Sequence, residues 1–303
     1  MMFKQITIIG FGLIGSSIAR AVKKNDLAKK IICGDVSQEV CNTVSSLGLA
    51  DVAITDLAVS VKGSDLVILC VPVGKMGGVA EKIANDLKEN AIVSDVGSVK
   101  KEVIAQLQPV LPNTVHLVPG HPIAGTEFSG PEHGFAELFE GRWCILTPQE
   151  HTELKAVEKM TLFWEACGSN IEIMESGHHD LVLGITSHLP HLIAYTIVGT
   201  ANDLEDDIKS EVIKFSASGF RDFTRIAASN PTMWRDVFLN NKEAVLEVLQ
   251  RFSEDLSGLQ KAIRKGDGDY LYQHFSDTRA IRRAIVDAGQ AEPEEIKVLN
   301  KKS

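Results

Sequence analysis

Three segments of this 303-residue chain combine side chains and spacings fit for chemistry. The first is Gly10-Phe11-Gly12-Leu13-Ile14-Gly15, followed by Asp35 twenty residues beyond Gly15. Glycines at this spacing recur by chance in turn-rich sequence, so the flanks decide what they mean. A β-branched run, Gln5 to Ile9, precedes the loop, a helical pattern from Leu13 to Val22 follows it, and Asp35 ends a second strand-like run. Together these make a dinucleotide-binding fingerprint. Gly10 permits the tight turn, Gly12 lets the backbone approach a diphosphate, and Gly15 lets the helix lie close on its strand. The helix N-terminus, with the amides of Leu13 and Ile14, attracts the phosphates. The Asp35 carboxylate suits both adenosine-ribose hydroxyls and repels a 2′-phosphate. Val36-Ser37-Gln38 offers no arginine to reverse that, so NAD is expected in preference to NADP.

The other two segments follow later strands, where ligands of open α/β sheets bind. Val71-Pro72-Val73 ends the most apolar strand-like run, and Val71 and Pro72 join the candidate cofactor residues. Asp95 to Lys100 ends the next run, and its Ser98, just before a helix, reads by itself as an N-cap. The segment from Pro119 to Glu127 holds His121 among glycines and prolines, which reads as a loop histidine open to the cleft and placed as a base. Further along, His179, His188 and His191 cluster in sequence, but their spacing matches no usual zinc signature and no carboxylate or thiolate pattern completes a site. No metal is expected.

The elements that must position these residues alternate in period. Strand-like runs at Lys30–Cys33, Asp65–Val71 and Ala91–Ser94 alternate with helical patterns at Gln38–Leu47, Gly78–Leu87 and Val99–Leu107. This predicts an α/β Rossmann-type parallel sheet covered on both faces. Val115–Val118, Cys144–Leu146 and Ile171–Met174 read as further strands, with a helix over Glu153–Ala166. From His178 onward only helices are expected, one with Leu246, Leu249, Phe252, Leu256, Leu259 and Ile263 at spacings of three and four. The predicted domains are therefore a NAD-binding domain over 1–176 and an all-helical C-terminal domain over 177–303. The apolar stripe could close a monomeric core, but a homodimer through the helical domain is the favoured reading.

Composition bounds the function. With 44% hydrophobic and 23% charged residues and a net charge of −9 free of long basic blocks, the chain favours a small-molecule substrate over nucleic acid or a membrane surface. The apolar run near the N-terminus is too short and glycine-interrupted for a membrane span or a signal peptide. Five scattered cysteines without a CxxC pair suggest buried free thiols and a cytoplasmic location.

Five blocks in order, DVGSVK, HPIAGTE with SGP, HHD with SHLPH, SGFRDFTRIA and MWRD, resemble the prephenate dehydrogenase family over nearly the whole chain. The layout, without a fused mutase or regulatory extension, looks most like its cyclohexadienyl members. The resemblance implies NAD-dependent oxidative decarboxylation of prephenate, arogenate or both, in tyrosine biosynthesis. It implies His121 as the acceptor that polarises the substrate hydroxyl, with Ser98 holding that hydroxyl and the imidazole in line. Arg225 matches a substrate-binding arginine, whose guanidinium pairs bidentately with a carboxylate. His191 falls near the substrate, His179 and Asp180 support the cleft, Glu127 sits at its mouth, and His188 is left as packing. Trp234 reads equally as core or pocket. Competing readings are a β-hydroxyacid dehydrogenase-like enzyme, which would rely on a lysine in the helical half, and a non-catalytic NAD sensor, which would not need His121, Ser98 and Arg225 in one cleft.

Overall fold

A computed structural model of the chain describes residues 1–126, 128–203 and 218–287. Strands β1 (Phe3–Ile9), β2 (Ala28–Gly34), β3 (Val52–Ile54), β4 (Leu66–Leu69), β5 (Ile92–Asp95) and β6 (His116–Leu117) form one sheet in the order β3-β2-β1-β4-β5-β6. All its pairings are parallel. β4 is buried along its whole length, as a strand covered on both faces requires. Helices α1 (Leu13–Lys24), α2 (Gln38–Ser46), α3 (Leu57–Ser60), α4 (Met76–Ile83) and α5 (Lys100–Leu107) provide the crossovers. Successive residues of β1 face opposite ways, so Ile6 and Ile8 enter one core with Ile18, Phe163 and Trp164, while Ile9 enters the other with Leu69, Met76 and Val93. The strand order reverses between β1 and β4, and the glycine loop lies at this switch point.

A second sheet joins β7 (Gly120–Pro122), β8 (Trp143–Leu146) and β9 (Asn170–Ile173), with α6 (Leu154–Ala166) between the last two. Here the sequence reading needs correction. The segment holding His121 is a strand, not a loop, because it pairs antiparallel with β8 and sets His121 opposite Ile145. Pro122 is tolerated since β7 is an edge strand.

Helix α7 (Ser176–Leu183) passes through a π-helical turn, Gly184–His188, into α8 (Leu189–Asn202). Pro190 has no N–H to close a normal helical turn, and the wider turn precedes it. Further helices span Ser218–Thr224, Pro231–Asn240, Lys242–Lys265 and Gly268–Asp287. Secondary structure changes from strands to helices near Ser176, yet the first compact unit runs from Met1 to Leu246 and the second from Glu247 onward. The first unit extends past Ser176 because α7 is bonded to the head of α5 through Asp180. The run Ser176–Asn202 contains an 18-residue window of mean hydropathy 1.5, high enough by length and composition for a membrane helix, and only 22% of that window is buried within this chain. Leu246, Leu256 and Ile263 of the predicted stripe are exposed as well.

Candidate active site

The three glycines of the loop meet different surroundings. Gly10 has a φ of +90°, and a Cβ on it would lie 2.5 Å from the Cys70 carbonyl oxygen. A Cβ on Gly15 would lie 2.1 Å from the Gly10 carbonyl oxygen, so glycine is what allows α1 to approach. Gly12 is different, because nothing lies within 4 Å of the place a Cβ would take. No side chain caps α1, so the first-turn amides at Leu13 and Ile14 have no side-chain acceptor. Open space above an uncapped helix N-terminus fits a diphosphate. Asp35 accepts hydrogen bonds from Phe11 N at 3.0 Å and Ser37 N at 2.9 Å, which fixes its carboxylate beside the loop. A crevice of about 460 Å³ opens there, with Gly10, Asp35, Val36, Val71, Pro72 and Val79 in its walls. Lys75 and Lys82 line the same crevice, two cations that sequence reading passed over because no motif surrounds them.

His121 is buried, at 9% exposure, rather than open to the cleft. Burial, reinforced by charge at His179, Lys100 and His188, pushes its imidazole well below the ordinary histidine range. The ring is therefore neutral at pH 7 by environment, a firmer condition than unperturbed titration supplies. Its Nδ1 lies 2.9 Å from His179 Nε2, and His179 Nδ1 lies 2.8 Å from Asp180 Oδ1. Asp180 also accepts from the backbone N–H groups of Lys100 at 2.7 Å and Lys101 at 2.9 Å, in the first turn of α5.

Lys100 itself is fully buried. It is ion-paired with Asp95 and donates to the Gly120 carbonyl oxygen at 2.6 Å. Asp95 in turn accepts from Gly97 N at 2.7 Å and Gly120 N at 3.2 Å. These bonds tie the end of β5 to β7 next to His121, and removing one partner of such a pair costs about 3–5 kcal/mol. Ser98 is half-buried, and its hydroxyl bonds to nothing among the described residues. Nor does it cap α5, whose N-cap is Val99 without a side-chain bond. The partner of the His121 ring is His179.

The helical part brings a second group together. His191 stacks on Trp234 with ring centres 3.6 Å apart, and its Nδ1 donates to the Ser187 carbonyl oxygen at 2.9 Å. Burial lowers the His191 pKa, and the nearby charge of Arg225 lowers it further. Arg225 lies in a 3-10 turn, Arg225–Ala228, exposed and with no carboxylate partner among the described residues. Trp234 is both core and support, packed with Val99 and Val237 beneath His191. His188, read from sequence as packing, is fully buried, and its Nε2 has no partner among the described residues. Burial pushes its pKa down to about 4. Its Nδ1 lies 3.0 Å from Asn241 Nδ2. Glu127 lies outside the described residues. Among the described residues, no three His, Cys, Asp or Glu side chains are grouped to hold a metal ion.

A dinucleotide loop at the switch point of a parallel sheet, with a neutral imidazole bonded to the helical half, marks a Rossmann-type oxidoreductase. Residues 18–173 match the model described as prephenate dehydrogenase, nucleotide-binding domain, and 175–277 match that described as prephenate dehydrogenase, dimerization domain. The chain belongs to the prephenate dehydrogenase family. It is 46% identical over 284 residues to the cyclohexadienyl dehydrogenase of Zymomonas mobilis subsp. mobilis, spanning 94% of this chain and 97% of that protein. The crystal structure of prephenate dehydrogenase from Aquifex aeolicus, in complex with hydroxyphenyl propionate and NAD+, superposes with a TM-score of 0.88 at 34% identity, covering 94% of this chain and 99% of the other. That of Synechocystis arogenate dehydrogenase gives 0.80 at 27% identity, covering 92% and 99%. The match at 18–173 begins beyond the glycine loop, whose assignment rests on its own geometry.

Proposed function

We propose that the chain catalyses the NAD-dependent oxidative decarboxylation of prephenate, arogenate or both, giving 4-hydroxyphenylpyruvate or tyrosine. The observation that carries this reading is a buried His121, its imidazole pushed well below the ordinary histidine range by that burial, in the unit that also holds the cofactor loop and an Arg225 without a carboxylate partner among the described residues. Relatives named cyclohexadienyl, prephenate and arogenate dehydrogenase support the substrate class.

Gly12 with the Leu13 and Ile14 amides would hold the cofactor diphosphate, Asp35 the adenosine ribose, and Val71 and Pro72 the crevice wall. Asp35 favours NAD over NADP, since a second negative charge beside it is repelled. Bound NAD supplies the hydride acceptor for ring carbon four, and departure of the ring carboxylate as carbon dioxide makes the step irreversible by aromatisation. His121 accepts the proton of the ring hydroxyl as the C–O bond gains double-bond character, which requires the imidazole to be neutral. Arg225 pairs with a substrate carboxylate, His191 lies beside it against Trp234, and Ser98 and Glu127 complete the hydroxyl and mouth positions.

Residues 1–176 serve the cofactor and 177–303 the substrate and a homodimer contact. The sparsely buried run Ser176–Asn202 and the match to a dimerization domain support that assembly. A cytoplasmic location suits five free cysteines. Two variants test the roles. His121→Ala should lower turnover by about 10²- to 10⁴-fold with little change in KM for prephenate. Arg225→Ala should raise that KM by about tenfold or more, the loss of one 1.4 kcal/mol interaction. Unchanged turnover in the first, or a KM within about twofold of wild type in the second, removes the corresponding role.

A further inference from the structure

We propose that Asp180 and Asn241 are positioning residues that set the ring tautomers of three buried histidines, making His121 Nε2 a bare acceptor and His188 Nε2 an N–H donor. The inference rests on the reading of His121 as proton acceptor and names what prepares it.

The chemistry of the partners dictates each assignment. A carboxylate only accepts, so His179 Nδ1, 2.8 Å from Asp180 Oδ1, carries the hydrogen. His179 is buried and its pKa is lowered by that burial, against the opposing pull of Asp180. A neutral ring with hydrogen on Nδ1 has a lone pair on Nε2. That lone pair, 2.9 Å from His121 Nδ1, accepts from it, so the hydrogen of the neutral His121 ring resides on Nδ1. His121 Nε2 is left bare and without a partner among the described residues, in the form needed to take a proton from a substrate hydroxyl.

The second branch starts from the same residue. Asn241 Nδ2 lies 2.9 Å from the Asp180 carbonyl oxygen, which also can only accept, so the nitrogen of the Asn241 amide is the atom facing it. The other hydrogen of that nitrogen meets His188 Nδ1 at 3.0 Å, making Nδ1 the acceptor. His188 must then carry its hydrogen on Nε2, a fully buried donor with no acceptor among the described residues. Asn241, Asp180 and His179 thus join the His188 and His121 rings in one chain of polar contacts.

The test is the long-range proton–nitrogen spectrum of the whole enzyme labelled with 15N-histidine, which reports the tautomer of each ring directly. Expected are Nδ1–H for His179 and His121 and Nε2–H for His188. An Nε2–H or mixed His121, or an Nδ1–H His188, overturns the proposal in the unmodified protein, so a misfolded variant cannot obscure the answer. His179→Phe should mix the His121 tautomers and lower kcat by about tenfold or more while KM for prephenate stays within about twofold. Mixed tautomers with unchanged kcat would also overturn it. If the spectrum is as expected but His121→Ala turns over normally, the proposed function fails and the tautomer assignment stands.

Discussion

His121 and His188 are held neutral by burial, and that has a measurable consequence. Because the folded-state pKa of His121 lies below its ordinary 6.5, the ring stays ready to accept a proton as pH falls through 6.5. The pH profile of kcat/KM should therefore be flat from the neutral range down through 6.5 and decline only below it. A half-loss at or above 6.5 would show that the acceptor is not so buried. His121 stood out in sequence by its glycine- and proline-rich segment, and Arg225 only through the family resemblance. The roles of Lys100, His188 and Asn241 were not. They depend on contacts such as Asn241 to Asp180, 61 residues apart, that exist only once α7 meets the start of the Lys242–Lys265 helix.

Elements carry the next level of the account. The glycine loop turns three identical residues into different constraints, and substitutions should separate them. Gly12→Val adds a side chain to open space, so folding stability should be unchanged while KM for NAD rises by about tenfold or more as the diphosphate is kept away. Gly15→Ala forces a Cβ onto the Gly10 carbonyl oxygen and should lower stability by about 1–3 kcal/mol in denaturant unfolding. A Gly12→Val enzyme with wild-type KM for NAD would remove the loop from the cofactor site. Five of the six strands of the main sheet were readable as apolar runs, each near its observed place. β3 and α3, three and four residues long, are too short to show a period. β7 was mistaken for a loop because its glycine and prolines mask a pairing supplied by β8, distant in sequence. The π-helical turn before Pro190 was read as ordinary helix, since periodicity does not register one wide turn.

At the scale of the molecule, the proposed function assigns the cofactor to the sheet and the substrate to the helices. The apolar run Ser176–Asn202 and the exposed leucines of the Lys242–Lys265 helix leave surface that a second copy would cover. Sedimentation should give a dimer, and a monomer at micromolar concentration would count against that assembly. The helical stripe was plain from spacing, but spacing alone could not say whether it closed a core or met a partner. Exposure of Leu246, Leu256 and Ile263 favours the partner. The most direct measurement is to mix the purified chain with NAD and prephenate, and separately with NAD and arogenate, following NADH and carbon dioxide together. Equal amounts of NADH and carbon dioxide from at least one substrate are expected. No NADH from either, or NADH without carbon dioxide, would contradict the account.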